Sequence, residues 1–402
     1  MIYTADYVFP ISGEPIKDGY VKCAADGTVE AFGVKDSLSE CELGSAVRFR
    51  GFITPGFINA HCHIELSHMK GLFRQGTGMD GFIQQINALR LTIDREGRIS
   101  AMREAFDDLA AQGVVAMGDV SNCDESFEMK REALADGRMY IRTYLEVFGT
   151  EPEDAEAILA DARALQTRAC EMGLDAAPTP HSSYTMSPLL NRLSAAAGLE
   201  SGYISYHSQE SFEEEDMLRY GTGPLADDYR RRGTTQLPVI GFGALVYFLD
   251  NLQKAVPAPV EGNVLLVHNV ATDQESIDAA RKTLKHPYWA ICPLSNIFIH
   301  RALPPIDLMR RNGLKICIGT DSLSSNLLLS MVAEMKCLQD NFPQLTLAEM
   351  LRWTCLNGAE AIGCADRYGS FEEGKRRGVV LIENVDIDNV RLTDASRSRR
   401  LV

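Results

Sequence analysis

The chain has 402 residues, of which 45% are hydrophobic and 24% charged, with a formal net charge of -15. That size can bury one large core and a smaller one without staples, and the acidic balance excludes a nucleic-acid partner, because phosphate backbones are held by clustered Lys and Arg. The ten cysteines include no Cys-x-x-Cys pair, the scatter of reduced buried thiols in a cytoplasmic protein. No basic-then-apolar leader opens the chain and no apolar run reaches the length of a membrane span, so a cytoplasmic chain with no membrane contact is expected.

Residues 1 to 53 alternate short β-type runs with turn signals such as Ser12-Gly13 and Asp26-Gly27, which reads as a small β-meander. From there the pattern changes to strands alternating with amphipathic helices, among them 101–112, 154–172 and 273–284. Eight apolar strands are expected, at 56–60, 114–119, 139–147, 176–180, 203–206, 264–267, 289–292 and 314–318. From His61 to Asp321 the units repeat at about 37 residues each, the size of the units of a (β/α)8 barrel. A last helix at 346–357 precedes a strand at Val379-Val380-Leu381-Ile382, expected to pair with the meander. The reading is an α/β fold: a TIM barrel over 54–365, and a small β-sandwich domain built by both chain ends, 1–53 and 366–402. Arg397-Ser398-Arg399-Arg400 reads as a solvated tail.

In a parallel barrel the chemistry sits where strands end. His61 and His63 close the first strand, and the period of two puts them on one face with Cys62 opposite. His181, His207 and His268 close the fourth, fifth and sixth strands, and Asp321 follows the eighth. Five imidazoles and a carboxylate around one rim point to a divalent metal, since neutral imidazole is the commonest metal ligand. Glu210, three residues after His207, reads either as a carboxylate that a turn swings over the metal to accept and return a proton, or as a solvated acid ahead of the run Glu213-Glu214-Glu215-Asp216, and its position alone decides little. His68, His286 and His300 fall in helical or loop contexts and are expected to be structural.

Six segments in register, Pro55-Gly56-Phe57-Ile58-Asn59-Ala60-His61-Cys62-His63, His181-Ser182-Ser183-Tyr184, His207-Ser208-Gln209-Glu210, Val267-His268-Asn269, Cys292-Pro293-Leu294-Ser295-Asn296 and Gly319-Thr320-Asp321, resemble the signatures of the amidohydrolase superfamily. The branch they resemble includes adenosylhomocysteine, guanine and aminofutalosine deaminases and the triazine chlorohydrolases. His61-Cys62-His63-Ile64-Glu65-Leu66-Ser67 and Gly319-Thr320-Asp321-Ser322-Leu323-Ser324-Ser325-Asn326 look most like the aminofutalosine deaminases.

The resemblance implies that His61, His63, His207 and Asp321 hold one divalent ion, zinc ahead of iron, which acidifies a water for attack. It implies Glu210 as proton shuttle, His268 as the group that orients the attacking oxygen, and His181 as a substrate contact. Glu65 is a further candidate for substrate recognition. Many relatives bridge two metals with a carbamylated lysine on the fourth strand. This chain has no lysine between Lys130 and Lys254, which excludes that arrangement; Glu146 is the alternative bridge, and one metal is expected. Arg377-Gly378-Val379 departs from the family's usual Ala-Asp-Leu. The expected reaction is hydrolytic deamination of a small heterocyclic amine, an adenine-type nucleoside in particular; removal of halide or hydrolysis of an amide on a related ring is the runner-up, and a non-catalytic binding protein the alternative outside enzymes. A homodimer is among the assemblies allowed. The loops at 69–85 and 211–236 carry no decodable pattern.

Overall fold

The computed structural model describes residues 1–235, 238–376 and 378–402, so Gln236, Leu237 and Arg377 lie outside it. Two four-stranded parallel sheets form its centre. The first holds β1 (Phe57–Cys62), β2 (Val114–Ser121), β3 (Tyr140–Val147) and β4 (Asp175–Pro180); the second holds β5 (Tyr203–Ser208), β6 (Val260–His268), β7 (Leu284–Ile291) and β8 (Ile316–Ile318). Single parallel bridges join the sheets at both edges, Ser182 to His207 and Cys62 to Asp321.

β2 and β3 are buried along their whole length, as strands covered on both faces must be. Small side chains, Ala60, Val267, Ala290, Cys317 and Ala361, meet in one cluster. Outside, helices such as Arg95–Ala111 lay Met102, Phe106 and Leu109 against Phe57, Val114 and Met117. The expected helices occur within a few residues, as Ala155–Glu171 and Gln274–Thr283. The last one divides into Leu347–Arg352, a π-turn at Trp353–Asn357 and Gly358–Ala361.

Both chain ends build one seven-stranded sheet. Its pivot is Phe52–Pro55, parallel to Ile2–Val8 and antiparallel to Val379–Glu383. Arg397–Arg400 is not a free tail but the edge strand on Val379–Glu383, with Arg399 paired to Glu383. Arginines on an edge discourage a further strand from adding.

The segment after β5, which showed no decodable pattern, contains two short helices, Phe212–Tyr220 and Pro224–Arg232. Ser211 caps the first, and Gly221 and Gly233 end them in the left-handed conformation that glycine adopts at little cost. Residues 69–85 run from a 3-10 turn into the helix Gly78–Leu89. Among the described residues no helix is long and apolar enough to cross a membrane.

Candidate active site

The strand ends bring four predicted side chains to one point. The rings of His61 and His63 are centred 4.8 Å apart, and those of His61 and His207 4.9 Å. His63 Nε2 lies 3.2 Å from His207 Nε2, and Asp321 Oδ1 lies 3.9 Å from His61 Nε2 and 3.8 Å from His63 Nε2. Four ligands about 2.1 Å from a tetrahedral ion stand about 3.4 Å apart, so these separations suit one cation. The chemistry agrees. Both ring nitrogens of His61 are buried without a hydrogen-bond partner among the described residues, an uncompensated cost of order 1–3 kcal/mol that a bound cation removes. Burial, then the neighbouring imidazoles, holds His61 and His207 well below the usual histidine range. They are therefore neutral, which is the ligating form.

The backbone around this point is held from several sides. Asp321 Oδ2 accepts from Ser295 Oγ (2.6 Å) and Ser325 Oγ (2.7 Å), which leaves Oδ1 turned to the histidines. Asn59 donates to Thr320 Oγ1 at 2.7 Å and accepts from its backbone N–H at 3.0 Å, tying β1 to the residue before Asp321. Gly319 permits that approach, for a Cβ there would sit 2.7 Å from the His61 carbonyl oxygen. Behind His63, Ile64 N–H donates to Asp119 Oδ1 at 2.9 Å, and Asp119 Oδ2 pairs with fully buried Lys130 Nζ at 2.6 Å. Four non-glycine residues here have positive φ: Gln209 (48°), His268 (74°), Asn269 (63°) and Asp321 (56°). Such conformations are costly and cluster where side chains must be aimed.

Glu210 is buried, its Oε1 3.6 Å from His268 Nε2. Burial acts to raise its carboxyl, but the imidazoles of His268, His300 and His181 outweigh it and hold the group at about 2. Asn296 Nδ2 donates to His268 Nδ1 at 3.1 Å, which leaves the proton of a neutral ring on Nε2, toward Glu210. His181 Nδ1 meets the hydroxyls of Ser182 and Thr185 at 2.8 Å each, and burial pushes its pKa down to about 3. Glu146 Oε1 lies 3.3 Å from His207 Nδ1 and 3.9 Å from His181 Nε2; burial raises it to about 8. It faces Nδ1 of the His207 ring, while Nε2 is turned to His63.

Two expectations change. Glu65 is absent from the cleft lining: its carboxylate accepts from Asn122 N–H at 2.9 Å and Cys123 Sγ at 3.5 Å, and burial raises it to about 7. The 3-10 turn after His63 carries it behind the cleft wall. His300 lies in a helix as expected, with its Nε2 3.8 Å from Glu210 Oε1. His286 lies on strand β7, exposed, and not in a loop or helix. His68 does bridge backbone carbonyls, those of Glu65 and Arg90.

The cleft above this point has a volume of about 360 Å³, the scale of a small-molecule site. Leu66, Met79, Phe82 and Ile86 form one apolar wall, and His63, His181, His207, Glu210, His268 and Asp321 form the floor. A neighbouring groove of about 490 Å³ shares Asn122, Glu146 and Phe148 with it but takes no imidazole into its lining.

Residues 52–395 match the family described as the amidohydrolase family. The chain is 25% identical over 333 residues to an adenosine deaminase of Helicobacter pylori, a match covering 81% of this chain and 77% of that protein. The crystal structure of Helicobacter pylori aminofutalosine deaminase in complex with methylthio-coformycin superposes with a TM-score of 0.79 at 23% identity, covering 96% of this chain and 92% of that one. An adenosine deaminase from Xanthomonas campestris with bound zinc gives a TM-score of 0.70 at 19% identity, over 95% and 84% of the two chains.

Proposed function

The chain belongs to the amidohydrolase family as a C–N hydrolase of the deaminase type, and from that premise we propose that it deaminates an adenine-type nucleoside, aminodeoxyfutalosine or an adenosylhomocysteine-like compound, with release of ammonia. The observation that carries this reading is the convergence of His61, His63, His207 and Asp321 on one point with the ionised Glu210 and His268 beside it. We assign those four residues to one divalent ion, zinc in preference to iron, because imidazoles with one carboxylate are a zinc donor set. When bound, such an ion acidifies water toward neutrality.

The chain's own residues then move protons. Water adds to the ring carbon that bears the amine. Glu210 takes a water proton and gives it to the adjacent ring nitrogen. It then relays the remaining hydroxyl proton to the amine as the C–N bond breaks, so ammonia leaves and the ring carries a carbonyl. His268, with its proton on Nε2, orients the attacking oxygen and steadies the adduct. His181 touches the substrate from the end of β4. On the same reading the two bridged sheets form a closed (β/α)8 barrel over 54–365, and 1–53 with 366–402 form a small β-sandwich domain.

The test is ammonia release from a panel of adenine nucleosides, guanine and halogenated triazines, with halide release followed in parallel. Glu210→Gln should keep its metal and lose on the order of 10²–10⁴-fold in kcat. Full turnover by that variant removes Glu210 from the mechanism, and halide without ammonia replaces the deaminase reading.

A further inference from the structure

The short helix Pro293–His300 that follows β7 sends three side chains into the site. Ser295 holds Asp321, Asn296 holds His268, and His300 faces Glu210. Asn296 and His300 are four residues apart, so they lie on one face of the helix. That face therefore meets both partners of the Glu210–His268 pair. The His300 side chain is only 7% exposed, and its Nε2 is buried with no hydrogen-bond partner of normal length among the described residues. Its position is imposed by packing: Phe298 and Ile299 are buried against Met69 and Phe73, and the Phe298 carbonyl accepts from Gly76 N–H at 2.7 Å. Arg301, at φ 55°, ends the helix just beyond.

Glu210 is thus enclosed. Its Oε1 stands between His268 Nε2 at 3.6 Å and His300 Nε2 at 3.8 Å, and its backbone N–H donates to Glu214 Oε2 at 3.0 Å. His181, Tyr184, His63, Glu146 and Cys292 are the other titratable groups around it. We propose that His300 is a positioning residue for Glu210: with His268 it fixes the carboxyl that shuttles protons, from the side away from the substrate. This rests on the role given to Glu210 above. It explains why a buried imidazole absent from the cleft lining keeps its ring nitrogen unpaired toward a carboxylate.

The test compares the parent with His300→Ala and His300→Gln. Metal content and KM should stay within twofold. In His300→Ala kcat should fall by roughly 10- to 100-fold, the scale of a misplaced catalytic group; His300→Gln, which retains a neutral donor, should fall less. Losing an imidazole beside a carboxylate raises the carboxyl's pKa, so the acid limb of the kcat profile should move to higher pH in both variants. The Glu210 carboxyl carbon, identified in 13C-glutamate-labelled protein by its loss in Glu210→Gln, should titrate higher as well, a readout that needs no turnover. A carboxyl that moves in a protein that deaminates nothing sinks the function and keeps His300. Unmoved titration and unchanged kcat in metal-loaded His300→Ala, or in His300→Gln should the first variant not fold, overturn the proposal.

Discussion

At Asp119 and Lys130 the protein buries an ion pair and completes it; at the ends of β1 and β5, with His61 and His207, it buries ring nitrogens and leaves them open. Lys130 Nζ has Asp119 Oδ2, Ser121 Oγ and Thr143 Oγ1, and the second Asp119 oxygen has Ile64 N–H. Among the described residues His61, by contrast, has no hydrogen-bond partner at either nitrogen, and His207 has none at Nδ1. Polar burial is tolerated when it is matched. The first cluster is therefore finished by the chain alone, while the second is arranged for a group the chain does not encode.

That contrast can be broken at four places. The largest effect belongs to the open cluster: in His207→Ala, zinc should no longer raise the melting temperature and turnover should vanish, with metal content read by elemental analysis. A variant that still binds stoichiometric zinc would undo the ligand set. Next comes the closed cluster. Lys130→Met strands a buried carboxylate and should cost about 3–5 kcal/mol in urea unfolding, much of it restored by adding Asp119→Asn; a loss below 1 kcal/mol would show that Asp119 is not held by charge.

Glu65 lies near Asp119 and Lys130 and supplies a pH test. Its carboxyl is raised to about 7 by burial, so the folded state keeps a proton that the unfolded chain releases from about pH 4.3 upward. Its contribution to stability therefore falls as pH rises through that window and is fully lost above the folded value. Glu65→Gln, which cannot ionise, should gain up to about 3 kcal/mol on the parent above pH 7 and nothing at pH 4; a pH-independent difference would contradict the burial argument. The smallest effect is at Asp321. Ser325→Ala removes one of two hydroxyls on Oδ2 and leaves Ser295 in place, so zinc affinity should weaken by roughly tenfold, measured by competition with a chelator.

Much of the site was legible because its residues punctuate apolar strands. His61, His207 and His268 each follow three or more residues of buried strand, and the strand period alone puts His61 and His63 together. Glu65 misled because adjacency to a ligand says nothing about direction once the chain enters a 3-10 turn. The approach of His300 to Glu210 was not legible for the opposite reason: read singly, it is one histidine in a helix. Its signal was the four-residue spacing from Asn296, which places it on the face turned to the site. The segment 211–235 held readable caps in Ser211, Gly221 and Gly233, but caps mark where helices begin and end and not what they cover.

By itself the amino-acid sequence determined the alternation of strand and helix, the number of repeating units and the residue type at each strand end, because all of these follow from local periodicity and turn chemistry. Only the tertiary structure decided which of Asp321's oxygens faces the histidines, that Glu65 turns away and His300 turns in, and that Arg397–Arg400 closes a sheet edge. Those outcomes depend on groups far apart in the chain competing for the same buried donors and acceptors, and that competition is settled only when the strands and helices pack.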